Sequence, residues 1–192
     1  MKRTLIAAAA ALLLPPAAAE AAPYVGVNLN ATSLDTNQSN PASFPESTIG
    51  PDFHVGYRID SLNLAGELGY GTNRGTQDPD ILRINMLTGD ALYYVPIGGF
   101  LNGVLTAGMA ETNYGMSSPT FHVAMVNGVN KSFRTGNTIF HGNEFDWRVG
   151  GGLSFQLTDT YEVHLLARYQ PMSMGELTNY ALSLSFGMNF YL

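Results

Sequence analysis

Large apolar and small polar residues alternate along much of this chain. The closing stretch, YALSLSFGMNFYL at 180–192, puts Tyr180, Leu182, Leu184, Phe186, Met188, Phe190 and Leu192 on one side. Ala181, Ser183, Ser185, Gly187, Asn189 and Tyr191 fall on the other. A period of two is that of a β-strand with one apolar face. The same alternation recurs in PYVGVNLNA (23–31), FHVGYRI (53–59), LNLAGELGY (62–70), LTAGMAE (105–111), FDWRVGGGLSFQL (145–157) and YEVHLLARY (161–169). The run Ile81–Val95 is a further strand whose parity the pattern leaves open. Leu82, Ile84 and Met86 favour one face, while Leu87, Ala91, Tyr93 and Val95 favour the other. Eight strands are predicted.

The connections alternate in length. Asp60-Ser61, 96–99 and 158–160 are short turns, whereas Thr32–Pro51, Thr72–Asp80, Thr112–Asn143 and Gln170–Asn179 are long and polar. Short turns on one side and long loops on the other mark an up-and-down outer-membrane barrel. Inside the longest segment, FHVAMV and VNKSFR flank Asn127-Gly128, a two-residue hairpin signal. That segment reads as a hairpin above the membrane, offering Phe121, Val123, Met125, Val129 and Phe133 to a partner. Alternatively, a hairpin from 120–135 adds two strands and makes a ten-stranded barrel.

The opening residues set the compartment. Met1-Lys2-Arg3 is basic, Leu5–Leu14 is apolar, and small residues follow at Ala17, Ala19 and Ala21. This is the layout of a secretory signal peptide spanning 1–19, cleaved after Ala19 or Ala21. The apolar run falls short of the roughly 20 residues that a membrane helix needs. Residues 20–192 then form a single barrel domain, expected in a bacterial outer membrane. There is no cysteine, and charged residues make up 12% against roughly 25% in ordinary soluble proteins. The net charge of −6 argues against a nucleic-acid-binding surface.

On the small face lie Arg58, Glu67, Asp146, Arg148, Glu162, His164 and Arg168, with His54 beside them. Aromatics gather at both ends of the apolar face: Phe53, Tyr70, Trp147, Tyr169 and Tyr180 near the long loops, Tyr57, Tyr93, Tyr161 and Phe190 near the turns. Two aromatic girdles belong at two membrane interfaces. The apolar face therefore meets lipid, and the charged residues form a network in a narrow lumen, neutralising one another. The fold expected is all-β, an eight-stranded antiparallel up-and-down transmembrane barrel.

QLTDTYEVHLLARYQ (156–170), GDALYYVPIGG (89–99) and the aromatic-rich last strand resemble the OmpA-like and opacity-type small outer-membrane barrels. The resemblance implies that Phe186, Met188, Phe190, Tyr191 and Leu192 carry the signal read by the barrel-assembly machinery. It also implies outer-membrane lipid and lipopolysaccharide as surroundings, a monomer, and a host or surface ligand at the loops. The role expected is structural or surface-interacting, with a plugged lumen and no cofactor. A narrow ion channel or hydrophobic-compound conduit is the alternative.

An enzyme is not expected, although some small barrels modify lipid A. Ser154, His164 and Glu162 share the lumen face, away from lipid substrate, and the remaining histidines are scattered. His141, Glu144 and Asp146 in HGNEFD follow no metal-ligand spacing.

Overall fold

The computed structural model describes residues 21–36, 45–77, 80–126, 129–174 and 178–192; the side chains at 36 and 119–137 lie outside this description. The expected signal peptide also lies outside it. Eight strands follow in order: β1 (Ala21–Thr36), β2 (Ser47–Ile59), β3 (Leu64–Gln77), β4 (Asp80–Gly98), β5 (Leu101–Val126), β6 (Val129–Gln156), β7 (Tyr161–Pro171) and β8 (Thr178–Tyr191). Each pairs with its sequence neighbours, and β1 pairs antiparallel with β8 to close the barrel. Closure leaves no unpaired edge, which is the condition for a sheet to cross a bilayer.

The segment around Asn127-Gly128 adds no strands to the wall. The β5–β6 ladder runs from Leu101↔Phe155 to Val126↔Val129 with one register shift at Met116/Ser117. The barrel is therefore eight-stranded, and the ten-stranded alternative falls. Most of the expected 112–143 loop is strand, as is most of 72–80. Above the girdle the outward positions turn polar, as at Arg74, Thr76 and Asn113, so outward apolar residues no longer mark these strands, whereas the alternation about Asn127-Gly128 does mark the hairpin.

Alternation within the wall has one meaning throughout. Val25, Val27, Leu29, Phe53, Val55, Leu105, Met109, Leu182, Leu184 and Phe186 point outward and are exposed. Asn28, Asn30, Asp52, His54, Glu67, Arg148, Glu162 and Arg168 point inward and are buried. The parity of β4 is resolved: Leu82, Ile84, Met86, Thr88, Asp90, Leu92 and Tyr94 face the lumen, while Leu87, Tyr93 and Val95 face outward. In its upper half the apolar residues of β4 face the lumen, with Arg83 and Asn85 outward, and in its lower half they face outward, which is why periodicity leaves its parity open. Outward, Trp147, Tyr169 and Tyr180 form a row with ring centroids 5.7 and 5.3 Å apart. At the opposite rim, Tyr161 and Phe190 meet edge-on at 4.4 Å.

Tight turns close one end. Asn63 takes the left-handed conformation (φ 52°) after the 3-10 turn Asp60–Leu62, and Gly99 (φ 56°) does so between β4 and β5. Between β6 and β7, Thr158 Oγ1 accepts the backbone N–H groups of Thr160 and Tyr161 at 3.2 and 3.1 Å. Short turns mark the periplasmic side of such a barrel.

Candidate functional site in the lumen

The lumen is filled in three layers. At the turn end Tyr24, Ala65, Leu92, Tyr94, Val104 and Leu166 pack together. At the hairpin end Leu34, Leu82, Ile84, Met86, Tyr114, Met116, Met172, Met174 and Ala181 form an apolar layer. Met174 reaches it from the β7–β8 connection with φ of 40° and is fully buried. A non-glycine residue in that region costs about 1 kcal/mol or more, which burial of the side chain offsets.

Between these layers and among the turn-end tyrosines lie the charges, several of them held by a repeating construction. A polar side chain on one strand reaches a partner two strands away by passing over a glycine on the strand between. Arg148 on β6 and Asp90 on β4 meet over Gly108, their direct cross-strand neighbour on both sides. Tyr24 OH donates to Glu67 Oε1 at 2.8 Å over Gly56. His54 Nε2 lies 2.6 Å from Asn189 Oδ1 over Gly26. His164 Nε2 lies 2.7 Å from Asn28 Oδ1 over Gly187. A Cβ at Gly108 would stand 2.1 Å from Asp90 Oδ1, and one at Gly26 would stand 2.1 Å from His54 Nε2. The small inward residues make room for these contacts.

Glu162 is the most heavily bonded acid among the described residues. Its carboxylate accepts from Arg58 Nη1 at 2.8 Å, Tyr191 OH at 2.9 Å, Asn189 Nδ2 at 3.2 Å and Tyr94 OH at 3.4 Å. The Arg58 guanidinium stacks 4.2 Å from the Tyr94 ring centroid and ion-pairs with Asp60 at 2.7 Å. Asn28 Nδ2 donates to Asp52 Oδ1 at 3.1 Å, so the bonds run from His164 through Asn28 to Asp52 and His54, then Asn189, Glu162 and Arg58. That run ties β7, β1, β2 and β8 together around the closing seam.

Six of the residues expected in the lumen network are buried in the lumen, Arg58 and Glu162 against the turn-end tyrosines and Glu67, Arg148, His164 and Arg168 above them. Asp146 stands apart, half-buried, with Oδ2 unbonded among the described residues. Arg168 Nη1 donates to Ser185 Oγ at 3.1 Å and faces a small void shared with Arg148, Asn73 and Gln170. Asp52 and Asp90 are members that the alternation does not reveal, one beside Pro51 and the other on the strand of open parity. The inward glycines at register with polar neighbours are the available signal.

His164 directs Nε2 to Asn28 rather than to Ser154, its cross-strand neighbour. No group of three or more metal-ligating side chains occurs among the described residues. The backbone at 121, 123, 125, 129 and 133 is strand, but the side chains of Phe121, Val123, Met125, Val129 and Phe133 lie outside the described residues. In the expected assembly signal Phe186, Phe190 and Leu192 are exposed on the outer wall and Met188 is half-buried. Tyr191 turns inward to Glu162.

A comparison with curated proteins finds no match. Among solved structures the chain is similar to Neisserial surface protein A (TM-score 0.65, 15% identity, 88% of this chain and 97% of that one). It is also similar to a major outer membrane protein of Thermus thermophilus (TM-score 0.57, 11% identity, 88% and 99%) and to Ail, the attachment invasion locus protein of Yersinia pestis (TM-score 0.54, 11% identity, 91% and 99%). At these identities the likeness is one of fold. The family model for the outer membrane protein beta-barrel domain matches residues 4–190. With a closed eight-stranded wall, an apolar exterior and a polar interior, the chain belongs to the outer membrane protein beta-barrel domain family.

Proposed function

We propose that this protein is a closed, monomeric outer-membrane barrel that acts through surface contacts made by its β5–β6 hairpin. One observation carries the reading: the β5–β6 ladder continues to Val126↔Val129. From Met109, opposite Trp147 in the outer girdle, to Val126 the strand runs roughly 55 Å at about 3.3 Å per residue, a rise of roughly 40 Å for a tilted strand. This is more than the headgroup layer requires, and a paired hairpin of that length reaches beyond it. The residues at 121–133 are the contact segment for a host or surface ligand.

The layered lumen supports a non-conducting and non-catalytic role. A water file would have to pass the Met-rich layer, the ion pairs and the tyrosine layer in turn, and eight strands leave little room between them. The outward residues of β8, Phe186, Met188 and Phe190, suit recognition by the barrel-assembly machinery.

The test is a variant with 118–138 replaced by Asn-Gly, displayed on cells beside the full chain. The variant is expected to keep the boiled-versus-unboiled gel shift of a folded barrel and to lose binding to host cells or matrix. Equal binding by both would overturn the role of the arm.

A further inference from the structure

Two arginines stand side by side on the outer wall. Arg74 on β3 and Arg83 on β4 are direct cross-strand partners, and both are exposed. Among the described residues no carboxylate lies within 4.0 Å of either guanidinium. Like charges placed directly opposite on a sheet destabilise it, so the pair is a cost unless an anion lies between.

Their height says which anion. Arg74 follows Tyr70, and Arg83 precedes Leu87, by four residues each, on the hairpin side of the apolar belt. About 13 Å of tilted strand lifts them roughly 10 Å above the belt, into the headgroup region of the outer leaflet.

The wall on either side is shaped to match. Beside Arg74 runs a groove of about 680 Å³, floored by Ala31 and Ser33 and walled by Ile49, Leu182 and Leu184. Its lining is mainly apolar, with hydroxyls at Ser33, Ser47 and Thr76 and one cationic edge, suited to an acyl chain below an anionic group. Beside Arg83 lies a depression of about 420 Å³ lined by Asn85, Asn113, Ser117 and Thr138, amide and hydroxyl groups suited to a sugar.

We propose that Arg74 and Arg83 together clamp a phosphate of lipopolysaccharide, with an acyl chain in the groove beside Arg74 and saccharide against Asn85 and Asn113. Guanidinium groups bind phosphate through paired, charge-assisted hydrogen bonds. The proposal rests on the outer-membrane reading above and adds a named site to it.

The test uses the full mature chain refolded into neutral phosphatidylcholine vesicles, alone, with bisphosphorylated lipid A, or with lipid A stripped of phosphate. Urea unfolding is followed by the heat-modified gel shift. Bisphosphorylated lipid A is expected to slow wild-type unfolding about tenfold, the worth of one charge-assisted contact, and stripped lipid A to leave it unchanged. R83Q and R74Q are each expected to lose most of that slowing. In neutral vesicles each is expected to unfold more slowly than wild type, because repulsion is relieved. The sign of each substitution thus reverses with the lipid, which a merely structural role does not produce. Equal slowing of wild type and both variants overturns the site, as does equal protection of wild type by inorganic phosphate without lipid A. A wild-type chain that never reaches the folded form in neutral vesicles is instead a failure of the outer-membrane reading, and the site falls with it.

Discussion

Arg148 and Asp90 meet over Gly108, with Nε 2.7 Å from Oδ1 and the second guanidinium nitrogen against Oδ2, both side chains buried. They belong to strands that never pair with each other, so the contact braces β4 against β6 across β5. Removing one partner leaves the other charged and buried. Asp90→Ala is expected to destabilise the refolded barrel by about 3–5 kcal/mol in urea unfolding. The double variant Asp90→Ala with Arg148→Met is expected to recover much of that loss. A double variant no more stable than Asp90→Ala would show that the pair is not the source.

The glycines beneath these contacts give a second prediction. Gly108→Ala and Gly26→Ala insert a carbon 2.1 Å from Asp90 Oδ1 and His54 Nε2 respectively, and at Gly108 a backbone oxygen lies 2.2 Å away. Both are expected to fold poorly and to lose the heat-modified gel shift at moderate urea. Gly103→Ala, whose nearest new neighbour is at 3.7 Å, is expected to behave as wild type. Equal effects at all three positions would mean that general strand propensity, not the crossing contacts, is at work.

The membrane band is legible in sequence because each strand there meets lipid on one side and a packed polar lumen on the other. Val25 to Leu29 and Leu182 to Phe186 therefore alternate cleanly. Where either contrast fades, so does the signal. On β4 the upper lumen is as apolar as lipid, so Ile84 and Leu87 look alike and the pattern gives Asp90 no side. Asp52 is hidden behind Pro51, whose missing N–H interrupts the pairing of β2 with β3 between Ile49 and Asp52. Beyond Thr112 the outward positions turn polar, as at Asn113 and Asn143, so 112–120 and 135–143 read as loop, while the alternation on either side of Asn127-Gly128 reads as a hairpin. The crossing of side chains over glycine depends on the register of three strands, which no single strand carries.

Met174 tests the upper layer. Met174→Ser removes a fully buried side chain from the apolar layer while the Arg148–Asp90 pair still blocks the middle and Arg58–Glu162 the turn end. It is expected to remain electrically silent in planar bilayers. Met174→Ser combined with Asp90→Ala and Arg148→Ala is expected to stay silent as well, provided that the gel shift confirms a folded barrel, because Arg58, Glu162 and the turn-end tyrosines still close the lumen. Openings in Met174→Ser alone would place the barrier in the apolar layer and not among the charges.

The most direct measurement is planar-bilayer conductance of the refolded wild-type chain, made after the gel shift shows that it has folded. A folded, silent barrel is the expected result, since the tyrosine layer, the ion pairs and the methionine layer close the lumen in series. Discrete, reproducible openings would contradict the closed lumen and make the charged layer a gated ion path.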